Sequence, residues 1–81
     1  MKKISDRLKQ ARINAGYKSA RDFAQKHGIK ERTYRSHETG EYQASIETLI
    51  EYSKILNVSP TWLILGNADY AGKNFGAENT K

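Results

Sequence analysis

Cysteine is missing from this 81-residue chain, and proline, tryptophan and methionine each occur once. The lack of cysteine excludes disulfide bonds and thiolate metal sites, so the fold must be stabilised by packing. Long apolar runs are also missing, because the longest purely aliphatic or aromatic run, WLIL at 62–65, is too short to span a bilayer. These absences predict a cytoplasmic protein without a membrane segment.

The remaining composition is that of one small globular domain. Hydrophobic residues make up 37% of the chain and aromatic residues 10%, which is enough apolar material for a folded core. No segment alternates apolar and polar residues as a half-buried strand does, and no internal repeat is present. The sequence therefore predicts an all-α domain of about five short helices over residues 1–66, followed by a flexible tail over residues 67–81.

Positive charge is concentrated in the first half of the chain. Residues 1–37 hold 11 Lys and Arg against 3 Asp and Glu, a net of +8, whereas residues 38–81 hold 3 against 6, a net of −3, which together give +5. The first half should therefore attract polyanions. Its first helix should expose a basic face that consists of Lys2, Lys3, Arg7, Lys9 and Arg12. This face either contacts phosphates or only keeps the protein soluble.

Short polar residues and glycines mark the ends of the helices. The first apolar stripe has helical spacing and consists of Ile4, Leu8, Ala11 and Ala15. Serines precede three later helical segments as N-cap residues, at Ser19, Ser45 and Ser59. Glycines close three segments, at Gly16, Gly28 and Gly66. A helix that ends at Gly28, a corner of roughly three to four residues and a second short helix together have the geometry of a helix-turn-helix.

The second of these helices lies in KERTYRSHETG, residues 30–40, which is more polar than a core helix requires. Such a helix fits the major groove of DNA, where one guanidinium can bond O6 and N7 of guanine together. In that case Arg32 and Arg35 would be the natural readers of guanine. Glu31 either accepts from a cytosine amine or orients an arginine. The alternative is a solvated helix face with incidental charges.

No constellation for catalysis or metal binding is present. His27 and His37 are ten residues apart on different predicted helices, without cysteine or a spaced carboxylate partner, so helix-end or core roles are favoured. The serines have capping or solvent roles, and no glycine-rich phosphate loop occurs. The sequence predicts neither an enzyme nor a cofactor.

Taken together, these residues resemble the lambda-repressor and Cro-like (XRE-type) helix-turn-helix family, and prophage repressors most of all. The resemblance covers Ile4 to Gly66 and rests on YKSARDFAQKHGIKERTYRSHETG and VSPTWLILG. It implies a lambda-repressor-like fold and a sequence-specific transcription regulator of double-stranded DNA, a repressor that reads an operator through its third helix.

The resemblance also implies roles for individual residues. Base contacts are expected from Glu31, Arg32, Arg35 and Ser36. DNA backbone contacts are expected from Lys18, Ser19, Arg21, Lys30, Tyr42 and Gln43. A structural ion pair between Arg12 and Glu38 is expected behind the third helix, the one that reads the operator. The chain departs from the family pattern at Ala20, where relatives often carry Gln, and in the loop GEYQA, which is often basic in relatives.

The expected partners are a DNA operator and a second copy of the chain. One reader of this size covers few base pairs, so a homodimer on DNA is expected to read two half-sites. Trp62 either closes the core or joins Tyr70 in a dimer contact. An alternative of a different class is an antitoxin-like interaction module, with a protein as its main partner and operator binding as a secondary activity.

Overall fold

The computed structural model describes residues 3–66, and all regular structure in that range is α-helical. Five helices follow one another: α1 (Ile4–Asn14), α2 (Ala20–Lys26), α3 (Glu31–Thr39), α4 (Ile46–Leu56) and α5 (Pro60–Leu65). The predicted all-α class with five short helices is confirmed. The predicted tail at 67–81 lies outside the described residues.

The helix ends follow the local signals in the sequence. The hydroxyl oxygens of Ser19, Ser45 and Ser59 each accept a backbone N–H of the following turn, at 3.0, 3.1 and 3.2 Å. Each serine therefore satisfies a donor that has no partner within its own helix. All three predicted N-caps are confirmed.

The chain divides into two compact units at the junction of Ala44 and Ser45. In the first unit α3 packs against both α1 and α2. Its core consists of fully buried side chains from all three helices, namely Leu8, Ala11, Phe23, Ala24 and Tyr34. Burial of these apolar groups is the main stabilising contribution to the unit.

Within the described residues, the second unit contains α4 and α5, which contact each other. Its buried residues are Leu49, Tyr52, Ser53, Leu56, Val58, Ser59 and Leu63. Burial raises the pKa of Tyr52 to about 12, because the phenolate would lose its hydration.

Two predictions for α1 are wrong. Ala15 is exposed, and the helix ends at Asn14, one residue earlier than the apolar stripe indicated. Arg7 and Arg12 are only 8% and 5% exposed, so neither belongs to an outward basic face, and Lys2 of that predicted face lies outside the described residues. The long apolar stem of an arginine can be buried in this way, which a count of charges does not reveal.

Candidate nucleic-acid interface

The corner between α2 and α3 is a compact four-residue turn, residues 27–30. Gly28 has a φ of 67°, a left-handed conformation that glycine adopts without strain. The N–H of Ile29 donates to the carbonyl of Ala24 at 2.8 Å, which closes the end of α2 as a Schellman motif. This turn completes a helix-turn-helix in which α3 is the second helix.

The inner side of α3 is held by an aromatic contact with α2. The Tyr34 ring is fully buried, and its centroid lies 4.7 Å from that of Phe23. The Tyr34 hydroxyl donates to Oε2 of Glu38 at 2.6 Å. Aromatic packing and a satisfied polar group thus occur on the same buried face.

Arg12 connects α1 to the inner side of α3. Its Nε donates to Oε2 of Glu38 at 2.6 Å and its Nη2 donates to Oε1 at 3.2 Å. The two side chains are only 6% and 7% exposed. The Arg12 Nη1 also donates to the carbonyl of Tyr17 at 2.8 Å, which attaches the loop after α1 to the same group.

The charged state of Arg12 is favoured despite burial. Desolvation lowers the pKa of Arg12, but the hydrogen bonds and negative charge of Glu38 more than offset it, so the pKa of this guanidinium is raised above its ordinary value. The structure therefore brings together the two residues expected to form the structural ion pair. Such a pair fixes the orientation of α3 rather than adding much net stability.

The outer side of α3 carries arginines near its N-terminal end. Arg32 and Arg35 are both exposed, and the Arg32 side chain makes no hydrogen bond or ion pair with another residue of the described range 3–66. Arg35 instead bonds Glu31 one turn earlier, with Nη2 donating to Oε2 at 2.5 Å. The sequence left two roles of Glu31 open, and this geometry matches the role in which Glu31 orients an arginine.

Ser36 occupies a different environment from the other three expected base contacts. It is 9% exposed, and its hydroxyl donates to the carbonyl of Thr33 at 2.7 Å. Only the oxygen lone pairs of this hydroxyl remain available to a ligand. A base contact by Ser36 stays a prediction.

A groove beside α3 contains residues that the sequence did not single out. Its volume is about 360 Å³, and it is lined by Arg32, Thr33, Ser36, His37, Glu41 and Tyr42. Thr33 is exposed next to Arg32. Its position in the sequence, directly after an expected base-contacting residue, could have identified it as a candidate. Burial lowers the pKa of His37 below its ordinary 6.5, which favours the neutral ring in this groove.

The residues expected to contact the DNA backbone all lie in the first unit. Lys18, Arg21 and Lys30 are exposed, and Lys30 directly precedes the first turn of α3.

Tyr42 is 66% exposed, so its hydroxyl can reach a ligand. The Gln43 amide donates to the carbonyl of Ala44 at 3.3 Å. The Ser19 oxygen caps α2 and is already an acceptor, which leaves its own O–H to donate.

In the second unit, Trp62 is partly buried on α5. Tyr70, with which it was expected to share a dimer contact, lies outside the described residues. Leu65 on α5 is 66% exposed and Ile46 at the start of α4 is 57% exposed. Single exposed apolar side chains are common on protein surfaces.

No three His, Asp or Glu side chains of residues 3–66 lie close enough together to hold a metal ion. His27 is the C-cap of α2, and its Nε2 lies 2.9 Å from the Tyr17 hydroxyl. Within the same residues, no helix has both the length and the apolar character needed to cross a membrane.

Comparison with known proteins gives one family match. The family model described as helix-turn-helix matches residues 8–63, which include both α2 and α3. Searches among curated proteins and among solved structures found no match. The chain belongs to the helix-turn-helix family, as a DNA-binding transcription regulator of the XRE type.

Proposed function

We propose that this protein is a repressor of prophage type that reads an operator through α3. The observation that carries the proposal is the division of α3 into two sides. Tyr34 and Glu38 hold its inner side, whereas Arg32 and Arg35 extend outward from its N-terminal half. The N-terminal residues of a second helix are the ones that meet base edges in helix-turn-helix complexes.

The chemistry of these arginines fits the major groove. Each guanidinium can bond guanine O6 and N7 together, which distinguishes guanine from the other bases. Exposed Lys18, Arg21 and Lys30 would hold the flanking phosphates and fix the register of α3. Repression would follow because the protein, when bound to the operator, excludes polymerase from that DNA. Access to an operator requires a cytoplasmic location.

The length of α3 supports binding as a homodimer. Its nine residues span about 13 Å, the length of about four base pairs. So short a site recurs often in any genome, whereas two copies of α3 can read half-sites about one helical turn apart. The exposed Leu65 and partly exposed Trp62 on α5 are candidate dimer contacts.

Selection from a random duplex library at near-physiological salt tests this function. Wild-type protein should enrich a two-fold motif that the Arg32→Ala/Arg35→Ala variant does not. A matched variant, Lys9→Ala/Lys26→Ala, removes the same charge from exposed positions of α1 and α2. This variant should enrich the same motif as the wild type, and its affinity for DNA should be equal to or lower than that of the wild type. If the wild type enriches no motif, the repressor function is wrong and the antitoxin-like interaction module takes its place.

A further inference from the structure

The outer side of α3 contains two arginines in different electrostatic states. Arg35 is paired with Glu31 at 2.5 Å, and the two side chains are 57% and 38% exposed. Arg32, adjacent to Glu31 in sequence, is exposed and has no ion-pair partner within residues 3–66. Glu at the N-terminal side of an (i, i+4) pair is the favourable orientation for such a contact.

This pairing changes what Arg35 can do near DNA. An unpaired guanidinium is attracted to any phosphate, and that attraction is independent of sequence. A guanidinium held by a carboxylate is close to neutral as a unit, so its attraction to phosphate is weak. The carboxylate occupies only part of the donor set of a guanidinium, and the remaining N–H groups can still bond one guanine.

We propose that Glu31 is a specificity-determining residue of the proposed operator reading, a positioning residue that acts through Arg35. It holds Arg35 in one direction along α3 and screens it from phosphates. Arg35 then gains affinity only where a guanine lies in its path. This inference rests on the proposed function, because it assumes that α3 enters the major groove.

The expected consequence concerns discrimination rather than affinity. Specificity is the difference between the affinities for two sequences, and an element that weakens binding to the wrong sequence raises it. Loss of one directed guanine contact reduces discrimination at that base pair by about 5- to 150-fold. Replacing Glu31 should therefore tighten binding to random DNA while weakening base preference.

The test compares the full chain with Glu31→Gln, Glu31→Asp and Glu47→Gln. Binding is measured on the selected operator and on a random duplex of equal length at several salt concentrations. Glu31→Gln should bind random DNA more tightly, with discrimination reduced about tenfold. Its plot of log K against log salt should steepen by up to about 0.9, because the released Arg35 reaches a phosphate.

The other variants separate positioning from charge. Glu31→Asp keeps the negative charge in the first turn of α3, but its side chain is one methylene shorter and should lose the contact with Arg35. It should also lower discrimination. Glu47 is the exposed first-turn acid of α4, so Glu47→Gln makes the same change in charge outside α3. It should leave discrimination unchanged.

Double variants identify the route of the effect. In an Arg35→Ala background, Glu31→Gln should change binding equally on all sequences. If it still alters the preferred base, Glu31 reads a base directly and the positioning role is wrong. If the wild type discriminates and both Glu31 variants do so equally well, the inference fails while the repressor function stands. A wild type without discrimination overturns the function itself.

Discussion

Two arginine–glutamate pairs in this protein illustrate how burial decides the value of a charge. Arg12 and Glu38 are 6% and 7% exposed, whereas Arg35 and Glu31 are 57% and 38% exposed. Removing one partner of a buried pair leaves a charge without compensation, but removing one partner of an exposed pair returns the other to water. The two pairs therefore form a matched comparison within one fold.

For Arg12→Gln we expect the free energy of unfolding to fall by about 3 to 5 kcal/mol. For Arg35→Gln the change should be below about 1 kcal/mol. Urea denaturation of the two variants measures both values. A similar small loss in both would show that Arg12 is compensated elsewhere in the folded state. An Arg12→Met/Glu38→Leu variant should cost less than the two single changes added together.

Tyr52 should make stability fall in alkaline solution. Its pKa is raised to about 12 in the folded protein and is about 10 in an unfolded chain. Between these values the unfolded chain loses the phenol proton while the folded protein keeps it, so rising pH favours unfolding. The free energy of unfolding should fall by up to about 2 to 3 kcal/mol from pH 10 to pH 12.

Denaturation at several pH values checks this expectation, with two Tyr→Phe variants as controls. Tyr52→Phe should make the decline smaller by the share that Tyr52 contributes, about 2 to 3 kcal/mol. Tyr42→Phe, at a position 66% exposed, should retain it. A decline of equal size in the Tyr52→Phe variant would assign the effect to other groups.

Among the helices, α3 ends in a turn that leaves little room for a side chain. Gly40 has a φ of 86°, and a Cβ added there would lie 3.3 Å from the Ser5 hydroxyl of α1. Gly28, in the corner before α3, has a φ of 67° and open space around the same position. Both positions favour glycine, but only Gly40 also needs it for a close approach.

Gly28→Ala should therefore cost about 1 to 2 kcal/mol, the strain of a left-handed alanine. Gly40→Ala should cost more than Gly28→Ala, because the Ser5 hydroxyl must also shift by a few tenths of an ångström. Thermal and urea unfolding give both values. Adding Ser5→Gly to Gly40→Ala should recover the difference, and equal losses in the two alanine variants would contradict the role of Ser5.

Helix ends were predictable from the sequence because their causes are local. Ser19, Ser45 and Ser59 accept N–H groups of their own following turn, so residue type and spacing suffice. The burial of Arg7 and Ser36 was not predictable, because it depends on what other helices place around each side chain. The Glu31–Arg35 contact lies between these cases, since (i, i+4) spacing allows it but the rotamers decide it.

For the molecule as a whole, charge and structure divide along the chain in a similar way. Residues 1–37 carry a net charge of +8 and residues 38–81 a net of −3. Every residue expected to contact DNA lies in the first unit, which contains α1 to α3. Affinity for DNA should therefore depend steeply on salt, through basic residues of that unit alone.

Lys30→Ala should reduce the slope of log K against log salt by about 0.9 and weaken binding to all sequences alike. Lys54→Ala is the matched control, because Lys54 is an exposed lysine in the last turn of α4 in the second unit. Its slope should equal that of the wild type. An unchanged slope for Lys30→Ala would remove this residue from the interface.

The division of α3 into a buried inner side and an exposed outer side also affects how the DNA preference of such a protein can evolve. Tyr34 and Glu38 secure the helix from within, so mutations at Glu31, Arg32 and Arg35 can accumulate without unfolding it. A new operator preference can then evolve, or be selected from a library randomised at these outward positions, on an unaltered scaffold.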